Sequence, residues 1–113
     1  MDLEAFRLEL REFAREREWE QFHHPKNLAM ALGGEAGELL EVFQWLSEAE
    51  SRSLTSGPKR EAAAAELADI VIYSIRLADV LGIDLGHALS DKIAANRMRY
   101  PIAVSRGRAD KRP

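Results

Sequence analysis

Glu66-Leu67-Ala68-Asp69-Ile70-Val71-Ile72-Tyr73-Ser74-Ile75 is the stretch on which the fold turns. Its apolar residues follow no two-residue alternation, so it reads as helix rather than strand. Pro58 suits the first turn of that helix and Gly82 its end, with Leu67, Ile70, Val71, Ser74, Leu77 and Leu81 between them. Leu67, Ile70, Val71, Ile72, Tyr73 and Ile75 cannot all share one apolar stripe of roughly 100°. A chain of 113 residues has too little of itself to cover such a helix on every side, and a homo-oligomer, dimer or tetramer, is expected.

Helical spacing continues on both sides of this run. Leu3, Phe6, Leu10 and Phe13 recur behind a possible Asp2 cap and give a first helix to about Arg17. Trp19 to Pro25 forms a connection. Pro25 then opens a second helix with Leu28, Leu32, Ala36, Leu39, Phe43 and Leu46 on one side. Ser47 to Gly57 reads as the one long loop. Asp84 can cap a last helix through Leu85, Leu89 and Ile93, ending near Tyr100-Pro101, because proline disfavours helix in the residue before it. The expected fold is therefore all-α, a four-helix bundle. Residues 1–104 form its single domain, and 105–113, with Arg106, Arg108, Lys111 and Arg112, a basic disordered tail.

Composition limits the function. With 46% apolar and 31% charged residues, the chain is of ordinary globular type. No apolar run approaches the ~20 residues of a membrane-spanning helix. The start, Met1-Asp2-Leu3-Glu4, lacks the regions of a secretory signal. There is no cysteine, hence neither a disulfide nor a thiolate metal site, and a cytoplasmic protein is the simplest expectation. A net charge of −3 gives no basic surface for nucleic acid. A polyanionic substrate would need metal ions or a few placed basic residues.

The acidic residues answer to that need. Glu35 lies seven residues after Leu28, three after Leu32, four before Leu39 and eight before Phe43, inside the apolar side of its helix. A lone ionised carboxylate there is costly, and it either protonates or finds a cation. Glu38 follows at i+3. Glu66 and Asp69 repeat the pair on the third helix beside Ile70, Ile72 and Tyr73. Such pairs also occur on solvated helix faces. Two of them in apolar surroundings on adjacent helices favour a hard divalent cation with oxygen ligands. Neither carboxylate helix has the Glu-x-x-His spacing of di-iron bundles, and the all-oxygen set points to magnesium or manganese. Gly33, Gly34 and Gly37 flank the first pair, at about 1 kcal/mol each in a helix interior. A kink, close packing or ligand access would account for them equally well.

Phe22-His23-His24-Pro25-Lys26-Asn27-Leu28, Gly34-Glu35-Ala36-Gly37-Glu38-Leu39 and Phe43-Gln44-Trp45 resemble segments of the all-α nucleoside triphosphate pyrophosphohydrolases, the MazG-like superfamily. So do Glu66 to Tyr73 and Lys92-Ile93-Ala94-Ala95-Asn96-Arg97-Met98-Arg99-Tyr100-Pro101. The resemblance covers roughly the first 101 residues and is nearest to the dCTP pyrophosphatase branch. It implies magnesium ligation by Glu35, Glu38, Glu66 and Asp69, hydrolysis of a deoxynucleoside triphosphate to monophosphate and pyrophosphate, and tight dimers or tetramers. Trp19 and Trp45 match residues of the base pocket; Tyr73, Lys92, Asn96 and Arg99 match positions near triphosphate or nucleoside. Leu10 stands where animal members carry a histidine near the base, a departure from the branch pattern.

By themselves these residues have plainer readings. Lys92, Asn96 and Arg99, at i, i+4 and i+7, could be a solvated helix end complementing the macrodipole. Trp19 and Trp45 could fill the core. His23 and His24 could cap a helix or bind phosphate; His87 and Glu41 read as surface residues. The rival functions are a dUTP- or phosphoribosyl-ATP-cleaving relative, and a non-catalytic helical module whose carboxylates make inter-helix ion pairs.

Overall fold

The computed structural model describes residues 1–113. It is all-helical: α1 (Leu3–Glu16), α2 (Pro25–Phe43), α3 (Glu48–Arg52), α4 (Pro58–Leu81), α5 (Leu85–Arg99) and α6 (Ile102–Ser105), with a 3-10 turn at Glu20–Phe22. The four long helices fall where periodicity places them. The expectation of four helices in all is corrected to six, because α3 and α6 add short turns. α3 occupies part of the expected long loop. Ser47 accepts from the Glu50 amide and the Glu50 carboxylate accepts from the Ser47 amide, a capping box that nucleates this one turn. α2 is also shorter than expected, ending at Phe43 rather than Leu46.

The long helices begin on side-chain caps. Asp2 accepts from the Ala5 amide at 3.0 Å, His24 from Asn27 at 3.4 Å and Asp84 from His87 at 3.0 Å. α4 instead starts with Pro58 in its first turn and stops at Gly82, whose φ of 68° glycine adopts without a Cβ penalty.

The chain divides into two compact units, Met1–Gly82 and Ile83–Pro113. In the first, α2 packs along α4, and α1 packs on α4 as well. Rising numbers on α2 meet falling numbers on α4: His23, just before α2, bonds Arg76, whereas Glu35 approaches Glu66. The two helices are therefore antiparallel. Ala14, Ala63 and Ala78 are buried small residues that let the helices come close. Leu28, 2% exposed, is the largest fully buried side chain. Leu28→Ala should lower stability by about 2–5 kcal/mol, read as a lower urea midpoint at unchanged slope. Ala64, Leu67, Ala68, Val71 and Ile72 of α4 remain exposed, as do Met30 and Leu40 of α2.

In the second unit α5 carries exposed Lys92 and Asn96. Arg99 lies over the Tyr100 ring and donates to the Arg112 carbonyl, while Arg112 Nε donates back to the Arg99 carbonyl at 3.1 Å. The Arg112 amide donates to the Tyr100 hydroxyl at 3.3 Å. No helix is long and apolar enough to cross a membrane.

Candidate metal centre and adjoining pocket

Glu35 and Glu38 lie one turn apart on α2, opposite Glu66 on α4. Each offers an oxygen within 4.8 Å of the others. Glu35 Oε2 and Glu66 Oε2 are buried with no hydrogen-bond partner. Such orphaned acceptors cost free energy unless a cation or donor reaches them. None of the eight ion pairs in the structure involves Glu35, Glu38, Glu66 or Asp69. The Glu35 carboxyl is held above the usual carboxylate range, first by its close contact with the Glu66 carboxyl, then by burial; Glu38 opposes the shift. A donor set of carboxylate oxygens alone, with two of them orphaned, fits a hard divalent cation.

Asp69, one turn beyond Glu66, is not among the three converging carboxylates. It lines an adjoining cavity of about 280 Å³ with Ile72, Tyr73 and Arg76 of α4, Leu10 and Phe13 of α1, and Trp19 and His23 of the connection. The Phe13 and Trp19 rings meet edge to face at 5.8 Å, and Trp19 and His23 at 6.3 Å. Of the aromatic and histidine candidates, Trp19, His23 and Tyr73 are thus brought together. Trp45 is not: it is 85% exposed and lines neither this cavity nor one of about 590 Å³ between Phe43, Leu54, Arg60 and Leu67. His24 caps α2, and exposed His87 pairs with Asp91 at 3.2 Å. A Cβ built at Gly33, Gly34 or Gly37 meets nothing within 4 Å, so packing inside this chain does not demand those glycines.

Sequence reasoning passed over a charged cluster behind this pocket. Asp79 accepts from Arg7 Nη1 at 2.9 Å, Arg11 Nε at 3.0 Å and Arg76 Nη1 at 3.1 Å. Arg76 Nε also donates to His23 Nδ1 at 3.0 Å. These contacts join α1 and the connection to α4. The signal was present: Arg76 and Asp79 are an i, i+3 charged pair in an apolar stretch, the same pattern that singled out the acidic pairs. His23 is held below its usual range, first by burial and then by the Arg76 charge, and its Nδ1, accepting from Arg76, carries no proton.

The sequence model of the MazG-like family matches residues 31–111, a span that includes both acidic pairs. The chain belongs to the MazG-like family. It is 52% identical to dCTP pyrophosphatase 1 of Rattus norvegicus over 101 residues, which are 88% of this chain and 59% of that protein. Over the same length it is 46% identical to dCTP pyrophosphatase 1 of Homo sapiens, again 88% of this chain and 59% of that protein. The chain spans about three fifths of the length of the curated relatives it matches. Among solved structures, a pyrophosphatase from Archaeoglobus fulgidus is similar with a TM-score of 0.74 and 37% identity, covering 81% of this chain and 85% of that one.

Proposed function

We propose that the chain is a magnesium-dependent nucleoside triphosphate pyrophosphohydrolase. It would cleave dCTP or a 5-modified dCTP to the monophosphate and pyrophosphate, and so cleanse the cytoplasmic nucleotide pool. One observation carries the reading: three carboxylates converge, two of their oxygens buried and orphaned, beside an aromatic cavity. The similarity to dCTP pyrophosphatase 1 of rat and human supports the same chemistry and base.

Glu35, Glu38 and Glu66 are assigned the metal, with Asp69 as a fourth ligand. When bound there, magnesium supplies electrostatic stabilisation for charge developing at the α-phosphorus and on the pyrophosphate leaving group. Glu38 is exposed, unlike half-buried Glu35 and Glu66, and is the carboxylate assigned to orient the attacking water and accept its proton. The water oxygen bonds to the α-phosphorus as the bond to the bridging oxygen of the β-phosphate breaks. Trp19 and Tyr73 wall the base pocket, with His23 at its polar side. Trp45, Lys92, Asn96 and Arg99 are proposed as further nucleoside and phosphate contacts, the basic pair meeting phosphate oxygens. The exposed apolar residues of α2 and α4 favour a homodimer or homotetramer, since so many beside one another are unusual for a monomer.

The reading is tested by pyrophosphate release, with and without magnesium, across canonical and 5-modified nucleoside triphosphates. Magnesium-dependent release is expected, highest with dCTP or its 5-modified forms, and lost in Glu38→Gln with the helical circular dichroism intact. Full activity of that variant would sink the assignment of Glu38. Absence of release from any nucleotide, together with no magnesium-dependent rise in melting temperature, would leave the interaction module instead.

A further inference from the structure

Arg76 is buried, as is the side chain of its partner Asp79, and the reaction as assigned leaves Arg76 without a role. Its Nε is engaged by His23 Nδ1 and its Nη1 by Asp79 Oδ2. Nη2 has no partner in the protein and is not among the buried unpaired atoms, so its two N–H groups are unpaired and not fully buried, on a residue that lines the pocket. Because His23 Nδ1 accepts, the proton of the neutral ring sits on Nε2, another donor. The polar capacity that Arg76 and His23 have left is therefore all donor. The carboxylate on the same wall, Asp69, is assigned to the metal.

The walls decide the kind of ligand. Leu10, Phe13, Trp19 and Tyr73 form an apolar, largely aromatic surround. At about 280 Å³ the cavity lies just below the roughly 300–1,000 Å³ range of drug-sized ligand pockets and suits one planar base. A phosphate would need a freer charge than Arg76 offers, since Asp79 already pairs with it.

We propose that Arg76 determines base specificity: its free Nη2 edge donates to the O2 and N3 acceptors of cytosine and rejects uracil and thymine, whose N3–H is itself a donor. A donor facing a donor in a desolvated pocket leaves both unpaired, which discriminates more sharply than a change of shape does. The inference rests on the pyrophosphohydrolase reading and adds to it the residue that selects the base. Asp79 and His23 are positioning residues for Arg76, fixing the guanidinium on two of its three nitrogens.

The test compares wild type with Arg76→Lys, which keeps the positive charge but loses the planar fork. The dCTP-to-dUTP ratio of kcat/KM should fall at least tenfold, chiefly through a higher KM for dCTP. Calorimetry without metal supplies a readout apart from turnover. Wild type should bind dCMP at least tenfold more tightly than 3-deaza-dCMP, which has a C–H in place of N3, and Arg76→Lys should abolish that difference. A purely structural Arg76 would weaken all ligands alike, and an unchanged ratio in the variant overturns the inference while the pyrophosphohydrolase reading stands. Should the variant unfold, the wild-type measurement still decides, because equal affinity for dCMP and 3-deaza-dCMP overturns it. Wild-type preference for dUTP also overturns it, whereas failure to release pyrophosphate from every nucleoside triphosphate removes the reading beneath it.

Discussion

Glu35→Gln should eliminate pyrophosphate release and, in the same protein, raise the metal-free melting temperature. The two effects share one cause. Glu35, Glu38 and Glu66 bring three carboxylates within 4.8 Å, and one oxygen each of Glu35 and Glu66 is buried without a partner. Without a cation this is a stored repulsion, expressed in the raised pKa of Glu35 through its contact with Glu66 and then through burial. Glutamine keeps the shape, removes one charge and brings an N–H that can meet an orphaned carboxylate oxygen. Folding improves while the ligand set loses a member. Turnover should fall by on the order of a thousandfold or more, because groups that act as a unit fail together. The magnesium-induced rise in melting temperature should shrink in parallel, since a ligand stabilises only as far as it binds. Activity assays and melting curves with magnesium or with chelator check both halves. A variant that melts lower than wild type in chelator, or that retains turnover, would show that the carboxylates do not form the centre assigned to them.

Local geometry makes the acidic pairs of the candidate centre legible in the sequence, although three of the four carboxylates, not Asp69, converge in the structure. Glu35 betrays itself because its position in the helix is fixed by Leu28, Leu32, Leu39 and Phe43, all within eight residues. Helical periodicity is a short-range property, so it placed the four long helices as well as the acidic pairs. The Ser47-to-Glu50 capping box was equally local; it went unread because a segment rich in serine and glutamate resembles a loop when no apolar stripe accompanies it. The arginines around Asp79 differ in kind. Arg7 and Arg11 stand 72 and 68 residues from their partner, and nothing within a helix-length window announces the pairing. The two tryptophans show the same limit. Each lies just beyond a long helix, yet the return of the chain puts Trp19 into the pocket and leaves Trp45 outside it. Periodicity says which side of a helix faces inward; which other side chains wait there depends on chain return.

Asp79→Asn should be among the most destabilising conservative substitutions in the first unit. The Asp79 side chain is 5% exposed and Arg76's is 9%, and breaking such a buried pair from one side typically costs about 3–5 kcal/mol. The loss comes less from the vanished attraction than from the guanidinium left without its counter-ion. Arg7 retains Glu4 as a second partner, and Arg11 is half-exposed and can be rehydrated. Arg76 keeps only the neutral His23. Arg11→Ala should consequently cost much less than Asp79→Asn, and denaturant midpoints of the two variants decide the point. The pH dependence follows the same contacts. Hydrogen bonds from Arg11 first, and from Arg7 after burial has opposed them, hold the Asp79 carboxyl below its ordinary 3.8. A carboxyl whose folded value is depressed contributes its stability in full above the unfolded value and loses it as pH falls through the folded one. Wild type should lose this contribution below about pH 3.8, and Asp79→Asn, having none to lose, should show a shallower acid decline there. Equal acid slopes, or a smaller loss for Asp79→Asn than for Arg11→Ala, would mean that Asp79 is not the anchor of the cluster. The consequence reaches the pocket, because an Arg76 released from Asp79 no longer holds its free edge in one place: the surviving folded fraction of Asp79→Asn should discriminate dCTP from dUTP less sharply than wild type does.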